Sequence, residues 1–424
     1  MGKKIKGDST KTAGFLFASV LLIAGIMISC EKTKQQDSLD EFFKEKVNRT
    51  PLAGVAACII KEGKVVWSKG YGWADIENEI PMSPDKVQNI GSISKTFTAT
   101  AVMQLWEKGL FSLDDDVNDY LPFTVKNPRF PEEIITFRQL LSHRSSIKDG
   151  PAYDKSYACG DPTITLEAWL KEYFTLRGEY YNEEENFHTW TPGEEGEIPA
   201  EPRAYTNVGF GLLGYLVERI SGEKFNDYTK AHIFEPLAMN ESAWFISGIN
   251  IENHSIPYTY VPEEFKPEEG MTLESLPLRY PERILRTQLD KDSPLKKGSF
   301  FPHCLYSFPN YPDGLVRTSL NQLSHFLTGY INNGEYEGKR ILKEKTVKLM
   351  LSDQHFGRAL CWNSYDFDKR GKLWGHGGGD PGINTLMLFR ETDKVGVIVF
   401  TNTNEVRTAL FEIVKRLFQE AESL

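Results

Sequence analysis

The chain carries two pairs of short apolar runs with strand character, one pair near each end, and neither pair can be stable alone. Residues 54–61 and 64–71 flank Glu62-Gly63 at hairpin spacing, and residues 384–390 and 395–401 flank Glu391-Thr392-Asp393-Lys394. An isolated two-stranded hairpin is marginal in water because nothing covers its apolar face. Both pairs are therefore expected in one sheet assembled from the two chain ends. Between them apolar residues recur at helical spacing over 137–143, 166–174, 209–220, 321–332 and 344–352, and an amphipathic helix is expected at 405–420. The expected fold class is α+β: an antiparallel sheet flanked by helices, with a helical lobe, roughly 115–300, inserted between its halves. Two independent domains fit less well, since each would own a single hairpin.

Residues 1–29 read as an export signal rather than structure. Lys3, Lys4, Lys6 and Lys11 make a basic start, and an apolar run covers 13–28, shorter than the roughly 20 residues of a membrane-spanning helix. Met27-Ile28-Ser29-Cys30 resembles a bacterial lipobox, although Met27 departs from the usual aliphatic first position. Cleavage before Cys30 and lipidation of its thiol are expected, with an uncleaved anchor as the alternative. Residues 30–50 would then be a tether and 51–424 the folded domain, held by lipid at the bacterial cell envelope. Removing 29 of the 424 residues, four lysines and one aspartate among them, leaves 395 and takes the net charge from −10 to −13. No basic stretch with interleaved aromatics follows the signal, which argues against a nucleic-acid partner. Eight glutamates and no lysine or arginine lie between 179 and 201; a solvated loop is the plain reading, and a lid beside the active site the sharper one.

Besides Cys30, the cysteines are Cys58, Cys159, Cys304 and Cys361. Four cysteines allow three pairings, and the sequence does not choose among them. Cys58 lies within Val55-Ala56-Ala57-Cys58-Ile59-Ile60 and reads as a buried strand residue, so few or no disulfides are expected. There is no Cys-x-x-Cys, His-x-His or His-Glu-x-x-His, so neither a metal nor an organic cofactor is expected.

The chemistry concentrates at Ser92-Ile93-Ser94-Lys95. On a helix, a lysine three residues after a serine lies on the same face and can activate its hydroxyl. The tetrapeptide proves nothing by itself, because Ser-x-x-Lys also starts at Ser83, Ser145, Ser221 and Ser293. Only Ser92 leads into a long helical pattern, with apolar residues at 97, 101, 102, 105 and 106 and Gly109 as a stop, so one face of that helix should be buried. A serine in the first turn also has free backbone N–H groups nearby, the setting for an oxyanion. Tyr205-Thr206-Asn207 precedes a buried-helix pattern; a tyrosine there can move protons, and an asparagine can bind a substrate amide or ester. Tyr-x-Asn recurs at Tyr330-Ile331-Asn332, so it too is weak alone. Trp374-Gly375-His376-Gly377-Gly378-Gly379-Asp380-Pro381-Gly382 is a glycine-rich segment whose backbone can approach a ligand closely.

Together these three motifs resemble the serine β-lactamase and penicillin-binding-protein superfamily, in particular the class C β-lactamase branch with its esterase and D-aminopeptidase relatives. The resemblance covers most of 52–404 and includes Ile135-Thr136-Phe137-Arg138-Gln139-Leu140-Leu141-Ser142-His143, Ile233-Phe234-Glu235-Pro236-Leu237 and Gly314-Leu315-Val316-Arg317-Thr318. It implies that Ser92 is the acyl-accepting nucleophile, Lys95 its activating partner and Tyr205 the proton shuttle. It also implies that Asn207, His376, Gly377 and Gly378 contact substrate, and that the N–H groups of Ser92 and Gly379 form the oxyanion hole. Two departures are visible. His376 and Gly377 stand where β-lactamases carry lysine and threonine, and a histidine with an ordinary pKa of about 6.5 is a weaker anchor for a carboxylate. The approach from Gly193 to Tyr205 is also long.

The expected protein is a serine hydrolase acting on ester, amide or peptide substrates, β-lactams or D-amino-acid peptides included, outside the cytoplasm. A catalytically silent envelope lipoprotein that binds peptidoglycan fragments or a protein partner is the alternative. An α/β-hydrolase lipase is disfavoured because Gly-x-Ser-x-Gly is absent.

Overall fold

A computed structural model describes residues 1–2, 38–193, 205–263, 298–354, 358–366, 371–404 and 406–423. The export signal, Cys30, the lipobox and most of the long approach to Tyr205 lie outside the described residues.

The two hairpins do share one sheet. β1 (Gly54–Lys61) and β2 (Lys64–Asp75) are joined by Glu62 at φ 51° and Gly63 at φ 74°. Positive φ at both loop positions gives the turn twist that matches paired strands, and glycine adopts it at no steric cost. β3 (Ile80–Pro81) pairs with β2, while β4 (Asn363–Tyr365), β5 (Leu373–Asp380), β6 (Ile383–Arg390) and β7 (Val395–Thr401) form the C-terminal half. The order is β4-β5-β6-β7-β1-β2-β3, and the halves join where β1 runs antiparallel to β7, from Val55 opposite Thr401 to Lys61 opposite Val395.

Alternation along β1 explains its unbroken apolar run, because both faces of the sheet are covered. Val55, Ala57 and Ile59 join Val397, Val399, Leu410, Ile413 and Leu417 on one face, beneath the C-terminal helix Arg407–Ala421. Ala56, Cys58 and Ile60 face the larger core with Phe326, Leu327, Met387 and Ile398, against the helix Leu320–Ile331. Cys58 is fully buried there. Residues 38–49, read from sequence as part of a tether, form a helix that belongs to the domain core: Phe43 is fully buried and stacks 4.8 Å from Tyr71.

The helical lobe is inserted in sequence between these sheet halves. Just ahead of it, α1 (Ser94–Glu107) is buried on every side from Ser94 to Leu105 rather than on one face. It sits between the sheet side of the molecule and α2 (Val208–Ser221), and its threonines are satisfied internally: Thr98 Oγ1 donates to Pro312 O at 2.6 Å and Thr96 Oγ1 to Ile93 O at 2.7 Å. One disulfide, Cys159–Cys304, ties strand Ala158–Cys159 to the segment before Tyr306–Ser307, with which that strand pairs. Cys361 is free and buried. Of the acidic segment, Glu179, Glu183, Glu184 and Glu185 are described and solvent-exposed, the last three as the first turn of a short helix capped by Asn182.

Candidate active site

Ser92 occupies a single 3-10 turn, Gly91–Ile93, that feeds directly into α1, so the three-residue spacing to Lys95 becomes a contact. Lys95 Nζ donates to Ser92 Oγ at 3.1 Å, and Tyr205 Oη donates to the same oxygen at 2.8 Å. Lys95 is fully buried and gives its remaining hydrogens to Asn207 Oδ1 at 2.7 Å and Asp313 O at 2.8 Å, with Asp313 Oδ2 at 3.4 Å. Tyr205 is clamped from behind by His143, whose ring stacks 4.3 Å away. The second Tyr-x-Asn match has no such setting: Tyr330 is a core residue bonded to Thr100 at 2.7 Å.

Asn207 is oriented by a residue that the motif search passed over. Asp149 accepts from Asn207 Nδ2 at 2.9 Å, from Asn207 N at 2.8 Å and from Val208 N at 3.0 Å. Asn207 does not cap α2 with its own side chain, so a carboxylate from a distant loop takes the orphan N–H groups at that helix start. This leaves Asn207 Oδ1 facing the lysine. The sequence signal was slight: Lys148-Asp149-Gly150 reads as an ordinary turn.

Electrostatics set the resting protonation. Burial works to strip the proton from Lys95, but Tyr205, Asp313 and Asp149 outweigh it, and its pKa lies above the ordinary lysine value. Burial pushes the Tyr205 phenol up, and the Lys95 charge and the Ser92 hydrogen bond only partly reverse this. Asp313 is pushed up by burial to about 6, against the pull of Lys95 and of hydrogen bonds from Tyr153 and Asn310. The site at neutral pH therefore holds an ammonium, a phenol and a buried carboxylate around one serine hydroxyl. Because the Asp313 charge raises the proton affinity of both Lys95 and Tyr205, Asp313→Asn is expected to move the alkaline rise of kcat/KM to lower pH. A pH–rate profile of the variant against the parent checks the sign; an unmoved or upward-shifted rise contradicts it.

The glycine-rich segment forms the end of β5. A cavity of about 320 Å³ opens over Ser92 and is lined there by Gly379, Asp380 and Pro381, along with Tyr205 and Asn207. Gly377, Gly378 and His376 do not line it. His376 is 3 % exposed, and its Nδ1 lies 2.7 Å from the Gly377 carbonyl, an acceptor, which puts the ring proton on that nitrogen. The difference from expectation is one of position along the strand: His376 is packed opposite the core residue Met387, and β5 reaches the cavity only at its end, from Gly379 onward. Gly378 serves a close approach. A Cβ there would stand 2.0 Å from Ile90 O and 2.3 Å from Thr385 Oγ1, which itself donates to Ile90 O at 2.8 Å. Gly91, at φ 54°, is equally tight, with an added Cβ 2.9 Å from Gly379 N. Gly378→Ala is thus expected to push the Ile90–Ser92 turn off β5, at a cost of about 1–3 kcal/mol for the overpacking and at least about tenfold in turnover for the displaced serine. Urea unfolding and initial rates test it, and parental values of both would refute it.

Several lining residues carried no sequence signal: Tyr153 and Asp154 come from the short helix Pro151–Lys155, Asp313 from a 3-10 turn, and Tyr157 and Phe308 from loops.

Comparison with known proteins gives a consistent result. The family model described as Beta-lactamase matches residues 39–416. Protein flp of Staphylococcus aureus (strain MW2) is 26% identical over 241 residues, 55% of this chain and 44% of that protein, so the chain spans less than half the length of this curated relative. Penicillin-binding protein 4* of Bacillus subtilis (strain 168) is 25% identical over 385 residues, 89% of this chain and 73% of that one. Among solved structures, the octameric penicillin-binding protein homologue from Pyrococcus abyssi superposes with TM-score 0.60 at 26% identity, covering 86% of this chain and 73% of its own. The D-amino acid amidase from Ochrobactrum anthropi SV3 superposes with TM-score 0.65 at 18% identity, covering 92% and 99%, a likeness of fold.

Proposed function

The chain belongs to the beta-lactamase family of serine hydrolases, and on that premise we propose that it hydrolyses acyl compounds through an ester formed on Ser92. The observation that carries the reading is the convergence of Lys95 Nζ and Tyr205 Oη on Ser92 Oγ, at 3.1 and 2.8 Å, at the floor of an open cavity.

Lys95 stays charged, and loss of the Tyr205 phenol proton to bulk water, the ionisation behind the alkaline rise of kcat/KM, gives a phenolate that the adjacent ammonium stabilises and that takes the proton of Ser92. The serine oxygen then bonds to the substrate carbonyl carbon, and the N–H groups of Ser92 and Gly379 receive the negative oxygen. Tyr205 passes that proton to the leaving nitrogen or oxygen as its bond to carbon breaks. Water attacks the resulting ester as Tyr205 takes one of its protons, and Tyr205 hands this proton to the departing Ser92 oxygen, which restores the hydroxyl and the phenolate. Asn207 holds Lys95 in place and borders the substrate. Each step uses groups already in contact, and none requires a cofactor.

Small esters, amides and peptides are the substrates this geometry suits. The Cys159–Cys304 bridge favours an oxidising compartment, in keeping with the export and the lipid attachment at Cys30 that are expected from the sequence. Among the described residues no helix is long and apolar enough to cross a membrane. The relatives' names point to cell-wall or β-lactam chemistry for those proteins; for this chain a β-lactam is one candidate acyl donor among several.

The test is covalent labelling. A fluorophosphonate incubated with residues 31–424 is expected to add once, and peptide mapping is expected to find the adduct on Ser92. A folded protein that takes no label, or takes it elsewhere, would favour a binding lipoprotein instead.

A further inference from the structure

Tyr205 lies ahead of α2 and belongs to no helix or strand, so no backbone ladder sets the angle of its ring. The proton transfers proposed above depend on that angle. The three N–H groups that follow Tyr205 are all taken by distant side chains. Asn207 N and Val208 N go to Asp149, and Thr206 N donates to His143 Nδ1 at 3.2 Å. The His143 ring also stacks on the Tyr205 ring, with centroids 4.3 Å apart and planes inclined by 29°, and lies 4.9 Å from Phe210 in the first turn of α2. One side chain thus holds both the phenol ring and the peptide N–H next to it.

His143 occupies a strained position to do so. The helix Phe137–Leu141 ends in a Schellman motif, in which Arg144 N donates to Gln139 O at 2.6 Å and His143 N to Leu140 O at 3.1 Å. The left-handed residue of such a motif is usually glycine or asparagine; here it is His143, at φ 55°. Strain of this kind persists where the surrounding structure holds it, and it concentrates at sites where the side chain is used. Arg358 Nη1 donates to the His143 carbonyl at 3.1 Å and braces the turn. Because Thr206 N is a donor, His143 Nδ1 carries no hydrogen, and the imidazole is the neutral Nε2–H tautomer. A neutral ring can lie against Tyr205 without adding a second cation to Lys95, whose Nζ stands 4.9 Å from the centre of the same ring.

Tyr205 borders two cavities. Besides the one over Ser92, a smaller cavity of about 80 Å³ is lined by Tyr205, His143, Cys361 and Trp362 together with neighbouring residues. Loss of the His143 ring would enlarge this second cavity and admit water beside the phenol.

We infer that His143 is a positioning residue for Tyr205: its ring holds the phenol at Ser92 Oγ and keeps water from its flank, while Nδ1 secures the Thr206 N–H. It acts through Tyr205 and not on the substrate. The inference rests on the acyl-enzyme reading above and adds the group that aims its proton carrier.

The experiment measures the rate of fluorophosphonate labelling across alkaline pH for the 31–424 protein and two variants. His143→Asn keeps an acceptor oxygen where Nδ1 stands and tolerates positive φ, so it removes the ring alone. Labelling slower by about tenfold or more is expected, the scale on which a reacting group slips out of alignment. His143→Phe restores the ring without the acceptor and is expected to recover about half or more of that loss on a logarithmic scale. Burial raises the Tyr205 phenol, so water admitted by His143→Asn should also move the alkaline rise of labelling to lower pH. Among the described residues, the charged groups around the pair are Lys95 and Asp313 at the phenol, Asp149 at the following peptides and Arg358 at the His143 carbonyl, and the variants leave all four in place. If His143→Asn fails to fold, His143→Gly, which adopts that φ freely, makes the same comparison. A parent that takes no label on Ser92 removes the acyl-enzyme reading itself. With the parent labelled, three results would each overturn the positioning role alone. These are a ring-free variant that labels at the parental rate, a His143→Phe variant as slow as the ring-free one, and a slow ring-free variant whose alkaline rise has not moved. The last would mark general loosening, which slows labelling without changing the titration of Tyr205.

Discussion

Ser92→Ala is expected to fold like the parent and to lose hydrolysis by on the order of 10⁴-fold or more, the scale on which removing a nucleophile collapses a serine hydrolase. The side chain is only partly buried, and its oxygen accepts two hydrogen bonds without packing against the core. Its removal leaves Tyr205 and Lys95 each short of one acceptor, worth about 1 kcal/mol apiece. Lys95 keeps Asn207 and Asp313, so the network survives. Thermal unfolding should therefore shift by a few degrees at most, while covalent labelling disappears. A variant that still hydrolyses its substrate at a tenth of the parental rate would remove Ser92 from the mechanism.

Lys95→Met should damage both stability and activity, for separable reasons. The lysine and Asp313 are 0% and 3% exposed in their side chains, and the carboxylate depends on the ammonium for charge balance. Removing one member of a buried pair strands the other, at about 3–5 kcal/mol. The deficit has a pH signature. Lys95 lowers the pKa of Asp313, which already stands at about 6, above the ordinary 3.8; without the lysine it rises further. A carboxyl that binds its proton more tightly folded than unfolded contributes stability that is full below about 3.8 and is lost as pH rises through the folded value. The variant's stability deficit relative to the parent should accordingly be largest at and above neutral pH and shrink as pH falls through the variant's raised Asp313 value toward about 6, below which the carboxyl is protonated in both folded proteins. Pairing it with Asp313→Asn should recover much of the stability and none of the turnover, because the stranded charge is gone but the ammonium that supports Tyr205 is still missing. Denaturant melts across pH, with rates beside them, read both effects. A double variant with parental turnover would assign Lys95 a purely structural part.

The contrast between local and distant signals runs through the whole molecule. The sequence correctly placed β1 at 54–61 and β7 at 395–401, and it placed the helix Leu166–Phe174 to the residue, because each has a periodicity written within one element. It anticipated that the hairpins would meet, because a lone hairpin leaves an apolar face uncovered. It did not see that residues 38–49 belong to the core, since their polar approach resembles a tether until Phe43 finds Tyr71. Nor could it choose the Cys159–Cys304 pair, whose cysteines are separated by 145 residues.

The same division holds at the site. Ser92 and Lys95 are one helical turn apart, so their contact is implied by spacing alone, and the resemblance of three short motifs pointed to Tyr205 and Asn207. The partners that set the protonation of these groups are a different matter. Asp313 reaches Lys95 across 218 residues, Asp149 reaches Asn207 across 58, and Tyr157 meets Asp380 across 223. No pattern within a helix or strand records such meetings, because they depend on how loops from the helical lobe fall against the edge of the sheet. His376 shows the converse: its motif drew attention to the side chain, but it is packed against the core within β5, and the strand meets the cavity only at its end, at Gly379 and Asp380. The sequence by itself determined the architecture and the contact of Ser92 with Lys95, because those follow from apolar periodicity and from neighbours within a turn. Only the tertiary structure decided which distant groups surround that pair and how they set its protonation, because burial and long-range Coulomb contacts exist only once the chain has folded.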